Sequence, residues 1–335
     1  MLFLVGLGGA GCKVIELVYK KSLIDSLKSR MSSPKEIQIS GVAVDTSEAI
    51  NKLTSIPLNN RILIGKSLAK GHGAGSDIDF GKQLVTNELD LVLGILSNTD
   101  LGSAEIIFLI AGLGGGTGTG GFSVLANKIK SIYDIPVIGV LLLPSIRDGN
   151  IYSKNAEIGF HEIKKEADGL IIIDNDTLYR LGGKNSNKFQ GSNEAIIRFL
   201  SSIQWDVPFK FIKGRNSSFA SMKINAESVV LIDLVKNLIK NYLFVQLQEN
   251  FESLYLVIYG NKSKIHGQSS AESWIREKFG AILICDYKPQ FNSKFINCYG
   301  ILSGIKGIEK RLTTEIKGKE TTSEFQSLLN DINSI

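Results

Sequence analysis

The run Ile106-Ile107-Phe108-Leu109-Ile110 passes directly into Ala111-Gly112-Leu113-Gly114-Gly115-Gly116-Thr117-Gly118-Thr119-Gly120-Gly121, and this junction decides the fold. Its first five residues are continuously apolar, the pattern of a strand covered on both faces. Seven of the following eleven residues are glycine. A backbone without Cβ atoms can wrap an anion closely, and positive φ costs little there. Thr117 and Thr119 add hydroxyl donors. Further on, Phe122, Leu125, Ile129 and Ile132 recur at helical spacing with Asn127, Lys128 and Lys130 turned away. A helix is therefore expected from about Phe122, with its positive end aimed at the loop. Gly114, Gly115, Gly116, Thr117, Gly118, Thr119 and Gly120 are read as phosphate-binding.

Outward from this junction, Leu2 to Val5, Ile37 to Val44, Val137 to Leu143 and Leu170 to Ile173 repeat the apolar strand pattern, with helical stretches between them. The alternation predicts an α/β fold, a Rossmann-like parallel sheet with helices on both faces. After about residue 180 comes a polar stretch, Gly182 to Gln190, then a helix candidate from Ser192 to Gln204 and an irregular segment from Trp205 to Ser221. A helical region near Ala226 to Glu252 follows, then strand candidates at Leu254 to Tyr259, Ala281 to Asp286 and Phe295 to Leu302. The expected organisation is a nucleotide-binding domain over residues 1–187, a central helix and connecting segment over 188–224, and a smaller α+β domain with a polar tail over 225–335.

Composition narrows the class. The chain has 335 residues, 43% of them hydrophobic, with 38 basic and 33 acidic residues for a net charge of +5. That is a mixed surface and no polycation, so nucleic acid is not the expected partner. Cys12, Cys285 and Cys298 have no CxxC spacing, and His72, His161 and His266 are scattered, which argues against a disulfide framework or a structural metal. No charged region with a cleavage site precedes the first strand, and no apolar stretch approaches the roughly 20 residues a membrane helix needs. A cytoplasmic protein is expected.

A second glycine loop opens the chain. The first strand runs into Gly6-Leu7-Gly8-Gly9-Ala10-Gly11, a GxGxxG match, and then into a helix from Cys12. Amides at that helix N-terminus suit a phosphate. By itself this loop fits a dinucleotide-binding fold equally well, with Asp45 at the end of the second strand as the acid for a ribose. An NAD-dependent oxidoreductase stays open on that evidence, although it leaves Gly114 to Gly120 without a use.

The sequence GGGTGTG, Gly114 to Gly120, resembles the phosphate-loop signature of the tubulin/FtsZ family. Other loops of that family follow in order. By this resemblance Gly8, Gly9, Ala10, Gly11 and Cys12 form the first phosphate loop, and Val44-Asp45-Thr46 the second, with Asp45 in place of the usual Asn. Gly71-His72-Gly73-Ala74-Gly75 resembles the third loop, GxGAG, which implies Ala74 and Gly75 near the terminal phosphate. Pro144 and Asp148 match the fifth loop, whose acid bonds the ribose; Asp instead of Glu shortens the reach. Ile151 and Tyr152 stand where FtsZ has an arginine. Asn175, within Asp174-Asn175-Asp176, matches the purine-contacting asparagine, whose amide offers donor and acceptor together. Phe189 and Asn193 match an aromatic residue stacked on the base and a polar partner at its edge. Lys13-Val14 after the first glycine loop, Tyr152 with Asn155-Ala156, Asp174-Asn175-Asp176 and Ala226-Glu227-Ser228-Val229-Val230 resemble the archaeal CetZ group.

The resemblance implies binding of GTP or GDP, with magnesium carried through the nucleotide, and head-to-tail self-association in a cytoskeletal role in cell shape or division. In this family hydrolysis needs acids from the seventh loop of the next subunit, in the pattern NxDxxD. That pattern is absent, and with the loop set at Ala226 to Val230 the candidate catalytic acids are Glu227 and Asp233, with Asp206 a third. Weak hydrolysis is the expectation, and a non-polymerising GTP-binding regulatory or structural paralogue is the alternative. Trp205, Phe209 and Phe211 interleave with Lys210, Lys213 and Arg215, a composition seen in single-strand nucleic-acid grooves. Burial of these aromatics against the second domain is the preferred reading.

Overall fold

The computed structural model describes residues 1–28, 39–177, 196–197, 199–201, 203–205, 207–225, 228–240, 251–289 and 295–313. In chain order the first half comprises β1 (Leu2–Leu7), α1 (Gly8–Lys28), β2 (Ile39–Asp45), β3 (Arg61–Leu63), α2 (Lys66–Ala69), α3 (Ile78–Asn87), α4 (Leu89–Ser97), β4 (Ile106–Gly112), α5 (Gly116–Tyr133), β5 (Val137–Leu143), α6 (Asn150–Glu166) and β6 (Gly169–Asp174). The second half adds α7 (Pro208–Ile212), β7 (Asn216–Asn225), β8 (Val229–Val230), α8 (Leu231–Lys240), β9 (Ser253–Gly260), β10 (Ile265–His266), α9 (Gln268–Phe279), β11 (Ile282–Pro289), β12 (Phe295–Ser303) and α10 (Ile308–Thr313).

One ten-stranded sheet in the order β11-β9-β12-β7-β6-β5-β4-β1-β2-β3 organises the chain. From β3 to β7 every pair is parallel, while β12 runs antiparallel to both β7 and β9. Strands β1, β5 and β6 are buried along their whole length, because helices cover both faces. Two apolar cores result, one on each face: Phe3, Val5, Leu109 and Phe122 belong to one, and Leu4, Phe108, Val140 and Ile171 to the other. The chain leaves β1 toward β2 on one side and returns from β4 toward β5 on the other. Strand order thus reverses between β1 and β4, the position at which open α/β sheets place their ligand crevice.

Three expectations need correction. The helix after the long glycine run begins at Gly116 and not near Phe122, so most of the supposed loop is helix. The segment from Trp205 to Ser221 is not irregular: it holds α7 and most of β7, an interior strand. Its serines hid it, because Ser217 and Ser218 suggest a loop, yet both are buried and Ser217 Oγ lies 3.0 Å from Ser303 Oγ on β12. The region near Ala226 to Glu252 is helical only over α8 among the described residues, since Val229 and Val230 pair with Ile265 and His266. The polar stretch at residues 182–190 and the tail after Lys317 lie outside the described residues.

The aromatic segment packs inward as expected. Trp205 is buried, donates its indole N–H to the Leu200 carbonyl at 3.0 Å and meets Phe108 edge-on at 4.8 Å. It is a core anchor and offers no platform to a base. Among the described residues no helix is long and apolar enough to cross a membrane.

Candidate functional site: a cleft at the strand-order reversal

Leu7, Gly112 and Leu142 stand side by side at the C-terminal ends of β1, β4 and β5, and a cleft of about 310 Å³ opens above them. Its wall also takes in Gly8, Gly9, Ala10, Ala74, Gly75, Leu113, Gly115, Gly116, Thr117, Gly118, Pro144, Asp148, Tyr152 and Asn175. Volume and composition lie within the range of small-molecule sites. Helices α1 and α5 both begin at this cleft, at Gly8 and Gly116, so two sets of unpaired N-terminal amides point into one space. Gly8, at φ +70°, sits so close to the Gly114 to Gly120 run that a Cβ there would lie 3.0 Å from the Gly118 nitrogen.

The glycine run divides by role. Gly115 faces open space, as a wall of the cleft should. Gly114 takes φ +99°, which only glycine adopts cheaply, and its amide donates to Thr119 Oγ1 at 2.8 Å. Gly116, which also lines the cleft, and Gly120 let α5 lie against the start of α3: added methyl groups would collide with the carbonyl oxygens of Asp77 and Ile78. Thr117 lines the cleft and shares a 2.6 Å hydrogen bond with the buried Thr46 hydroxyl. Gly114, Thr119 and Gly120 are not on the wall; they hold it from behind.

The third loop is held by left-handed backbone at Gly71, Gly73, Gly75 and Ser76. Asn155, on α6, ties it to the Gly114 to Gly120 run by donating to the Ser76 carbonyl at 2.6 Å and the Gly114 carbonyl at 3.0 Å. Across the cleft, Asp148 accepts from the Ser145 amide at 2.8 Å in a capping box that shapes the turn after β5. Asn175 stands just past β6 in the first turn of a helix.

Three further sequence candidates lie behind the wall. Gly11 packs against the Ile110 carbonyl, leaving no room for a Cβ. Cys12 is 1% exposed, its thiol donating to the carbonyls of Gly6 at 3.6 Å and Val44 at 3.4 Å. Burial, reinforced by the charge of Asp45, pushes that thiol well above its usual range, so it is no nucleophile. Asp45, 4% exposed, accepts from the Thr46 amide at 2.8 Å beneath Gly9. Burial raises its carboxyl, against opposing hydrogen bonds from the Thr46 and Ser47 backbone and the charge of Lys13.

Phe189 and Asn193, as well as Glu227 and Asp206, lie outside the described residues. Asp233 is exposed in the first turn of α8 and does not line the cleft. Because β7 runs parallel to β6, the chain that leads to Asp233 emerges at the same edge of the sheet as the cleft. The opposite edge is formed by the turn before β7, where the Gly214 amide donates to the Asp168 carbonyl at 2.6 Å.

Sequence reasoning missed three contributors. Tyr152 is on the wall, where the resemblance predicted only a missing arginine. Asn155 spans two loops, for which its place one turn after Tyr152 was the one available signal. Arg311 had none: it is 137 positions from Asp174, whose carboxylate it grips with Nε and Nη2 at 2.9 Å each.

Known proteins match this architecture. CetZ1 of Haloferax volcanii is 34% identical over 197 residues, covering 58% of this chain and 48% of the relative, so the chain spans about half the length of that protein. The solved structure of CetZ1 from Haloferax volcanii as a GDP-bound monomer superposes with a TM-score of 0.78 at 26% identity, over 93% of this chain and 97% of the other. CetZ2 from the same organism, as a GTPγS-bound protofilament, superposes with a TM-score of 0.76 at 23% identity, over 99% of this chain and 98% of the other. The sequence profile described as Tubulin/FtsZ family, GTPase domain, matches residues 1–183. With more than half of its length matched by that profile, the chain belongs to the tubulin/FtsZ family.

Proposed function

We propose that this chain binds GTP and GDP in the cleft above β1, β4 and β5, and that it associates head to tail into filaments as a cytoskeletal protein of the cytoplasm. The observation that carries the reading is the convergence of two glycine-rich helix N-termini, Gly8 to Ala10 and Gly115 to Gly118, on one space at the strand-order reversal. Two aligned helix dipoles and their free amides suit a polyphosphate far better than one phosphate or a neutral ligand. Pro144, Asp148, Tyr152 and Asn175 at the other end would take the ribose and base, with Asn175 reading the guanine edge. Magnesium would enter with the phosphates, since among the described residues no group of three acidic, histidine or cysteine side chains could hold it.

A dinucleotide site is disfavoured by the same geometry, because Asp45 is buried under Gly9 and does not reach the cleft. Head-to-tail association would set the opposite edge of the sheet, where Lys164, Arg215 and Lys306 line a second cleft, against the nucleotide edge of the next copy. Hydrolysis would then need an acid from that opposite edge. Asp233 leaves from the nucleotide edge instead and does not serve that role; Asp168 and Glu252 stand at the opposite edge, and with the NxDxxD pattern absent we assign this protein slow turnover. The proposed division of labour is residues 1–187 for nucleotide, 188–224 for the connection and 225–335 for the second domain, with β7 at the end of the connection joining the two halves within one sheet.

Calorimetry with GTP, GDP and ATP tests the ligand, and sedimentation with GTP alongside phosphate release tests assembly and turnover. Tight guanine-nucleotide binding with sedimenting filaments and slow phosphate release is expected. Equal affinity for ATP, or binding of NAD in preference, would overturn the ligand assignment. A chain that binds GTP and stays monomeric would instead be the non-polymerising paralogue.

A further inference from the structure

Asn175 sits between two acids that both turn onto a single guanidinium. Arg311, on the last described helix, is 5% exposed, and Asp174 is 3% exposed. Arg311 donates from Nε to Asp174 Oδ2 at 2.9 Å, and from Nη2 to Asp174 Oδ1 at 2.9 Å and Asp176 Oδ2 at 2.7 Å. The same Nη2 donates to the Pro144 carbonyl at 3.1 Å. Asp176 also accepts from the Ile146 amide at 2.9 Å and from the Ser145 hydroxyl. One side chain therefore ties Pro144, after β5, to the two neighbours of Asn175, after β6, and both Pro144 and Asn175 line the cleft wall.

Burying an arginine with two carboxylates is poor evidence for stability, because desolvation offsets much of the attraction. Its clearer effect is orientation. Burial raises the Asp174 carboxyl and the charge of Asp176 adds to it, while the hydrogen bonds and charge of Arg311 oppose both, so the shared cation favours one arrangement of the two acids. With both acids turned to Arg311, the residue between them is presented to the cleft. The helix that carries Arg311 is itself fastened to α6, which bears Tyr152, through a 3.2 Å ion pair between Lys164 and Glu309.

We propose that Arg311 is a positioning residue for the base end of the nucleotide site, so that guanine selectivity depends on the helix following β12. The proposal rests on the guanine-nucleotide reading above. It predicts that loss of the cation blurs base recognition and leaves the phosphate end, formed by Gly8 to Ala10 and Gly115 to Gly118, as it was.

The test is calorimetry of GTP, ATP and inorganic tripolyphosphate binding to the full chain and to Arg311→Met and Arg311→Lys. In Arg311→Met the ratio of GTP to ATP affinity is expected to fall about tenfold, the scale of a lost charge-assisted hydrogen bond, with tripolyphosphate affinity unchanged. Arg311→Lys should recover part of the ratio, since an ammonium keeps the charge and loses the fork. A GTP-to-ATP ratio at the wild-type value in folded Arg311→Met would overturn the proposal, and so would a parallel loss of tripolyphosphate and nucleotide. Where Arg311→Met does not fold, Asp176→Asn carries the same readout: a reduced ratio supports the proposal and an unchanged one overturns it. A wild-type chain that prefers no guanine nucleotide would instead overturn the reading beneath it.

Discussion

The α carbon of Gly120 lies against the carbonyl oxygen of Ile78, at a distance that leaves no room for a side chain between α5 and α3. This contact gives part of the glycine-rich signature a meaning separate from ligand binding. Gly120→Ala should destabilise the protein by about 1–3 kcal/mol through overpacking, read as a lowered Tm. Gly115→Ala, where a methyl group meets nothing within 4 Å, should leave Tm unchanged while weakening GTP binding in calorimetry. Equal effects of the two substitutions on both readouts would remove the distinction.

Thr119 is buried and accepts from the Gly114 amide at 2.8 Å. Replacing it with valine keeps the shape and orphans that amide, at a cost of about 1–3 kcal/mol. Thr119→Ser keeps the acceptor, and urea denaturation should separate the two variants by most of that amount.

Asp45 contributes a pH dependence with a definite sign. Burial raises its folded-state pKa above the unfolded value, so the folded chain binds more protons there and the group's contribution to stability falls as pH rises through that interval. Asp45→Asn keeps a hydrogen-bond acceptor and loses the charge. Its stability relative to wild type, measured by urea denaturation at pH 4 and pH 7, should be greater at pH 7. A difference independent of pH would show that the carboxyl is not raised.

The buried thiols predict the opposite end of the profile. Cys12 and Cys298 are buried and burial raises both, while Cys285 is pushed up to about 11. Above about pH 8.5 the unfolded chain deprotonates its thiols and the folded chain does not. Stability should then fall by about 1.4 kcal/mol per pH unit for each such thiol. Cys298→Ala should flatten the decline by one thiol's share, and thiol reagents should reach Cys12 and Cys298 only after denaturant is added.

Much of the nucleotide half was legible because its signals are local. Strands buried on both faces are continuous apolar runs, and a glycine run between strand and helix marks itself wherever it occurs. Even so, local reading treated all seven glycines as loop. Helix packing against α3 is a tertiary constraint, and from sequence a glycine needed for close approach looks the same as one needed for a ligand.

The second half was less legible, since β7 takes its identity from its neighbours. A serine-rich stretch becomes an interior strand only where β6 and β12 supply its hydrogen bonds. The seventh-loop assignment suffered in the same way. Without β7 in place nothing in the sequence says at which edge of the sheet Asp233 emerges, and strand direction alone decides that.

By itself, then, the sequence determined the parallel sheet, the glycine loops and the order in which they follow one another, because periodicity and glycine content act over a few residues. Only the tertiary structure decided which of those residues face the cleft and which brace it. It also decided that Asp45 and Cys12 sit behind the wall and that Arg311 reaches Asp174 across 137 positions. Those outcomes depend on long-range packing and on the desolvation of charged groups, which exist only once the sheet is assembled.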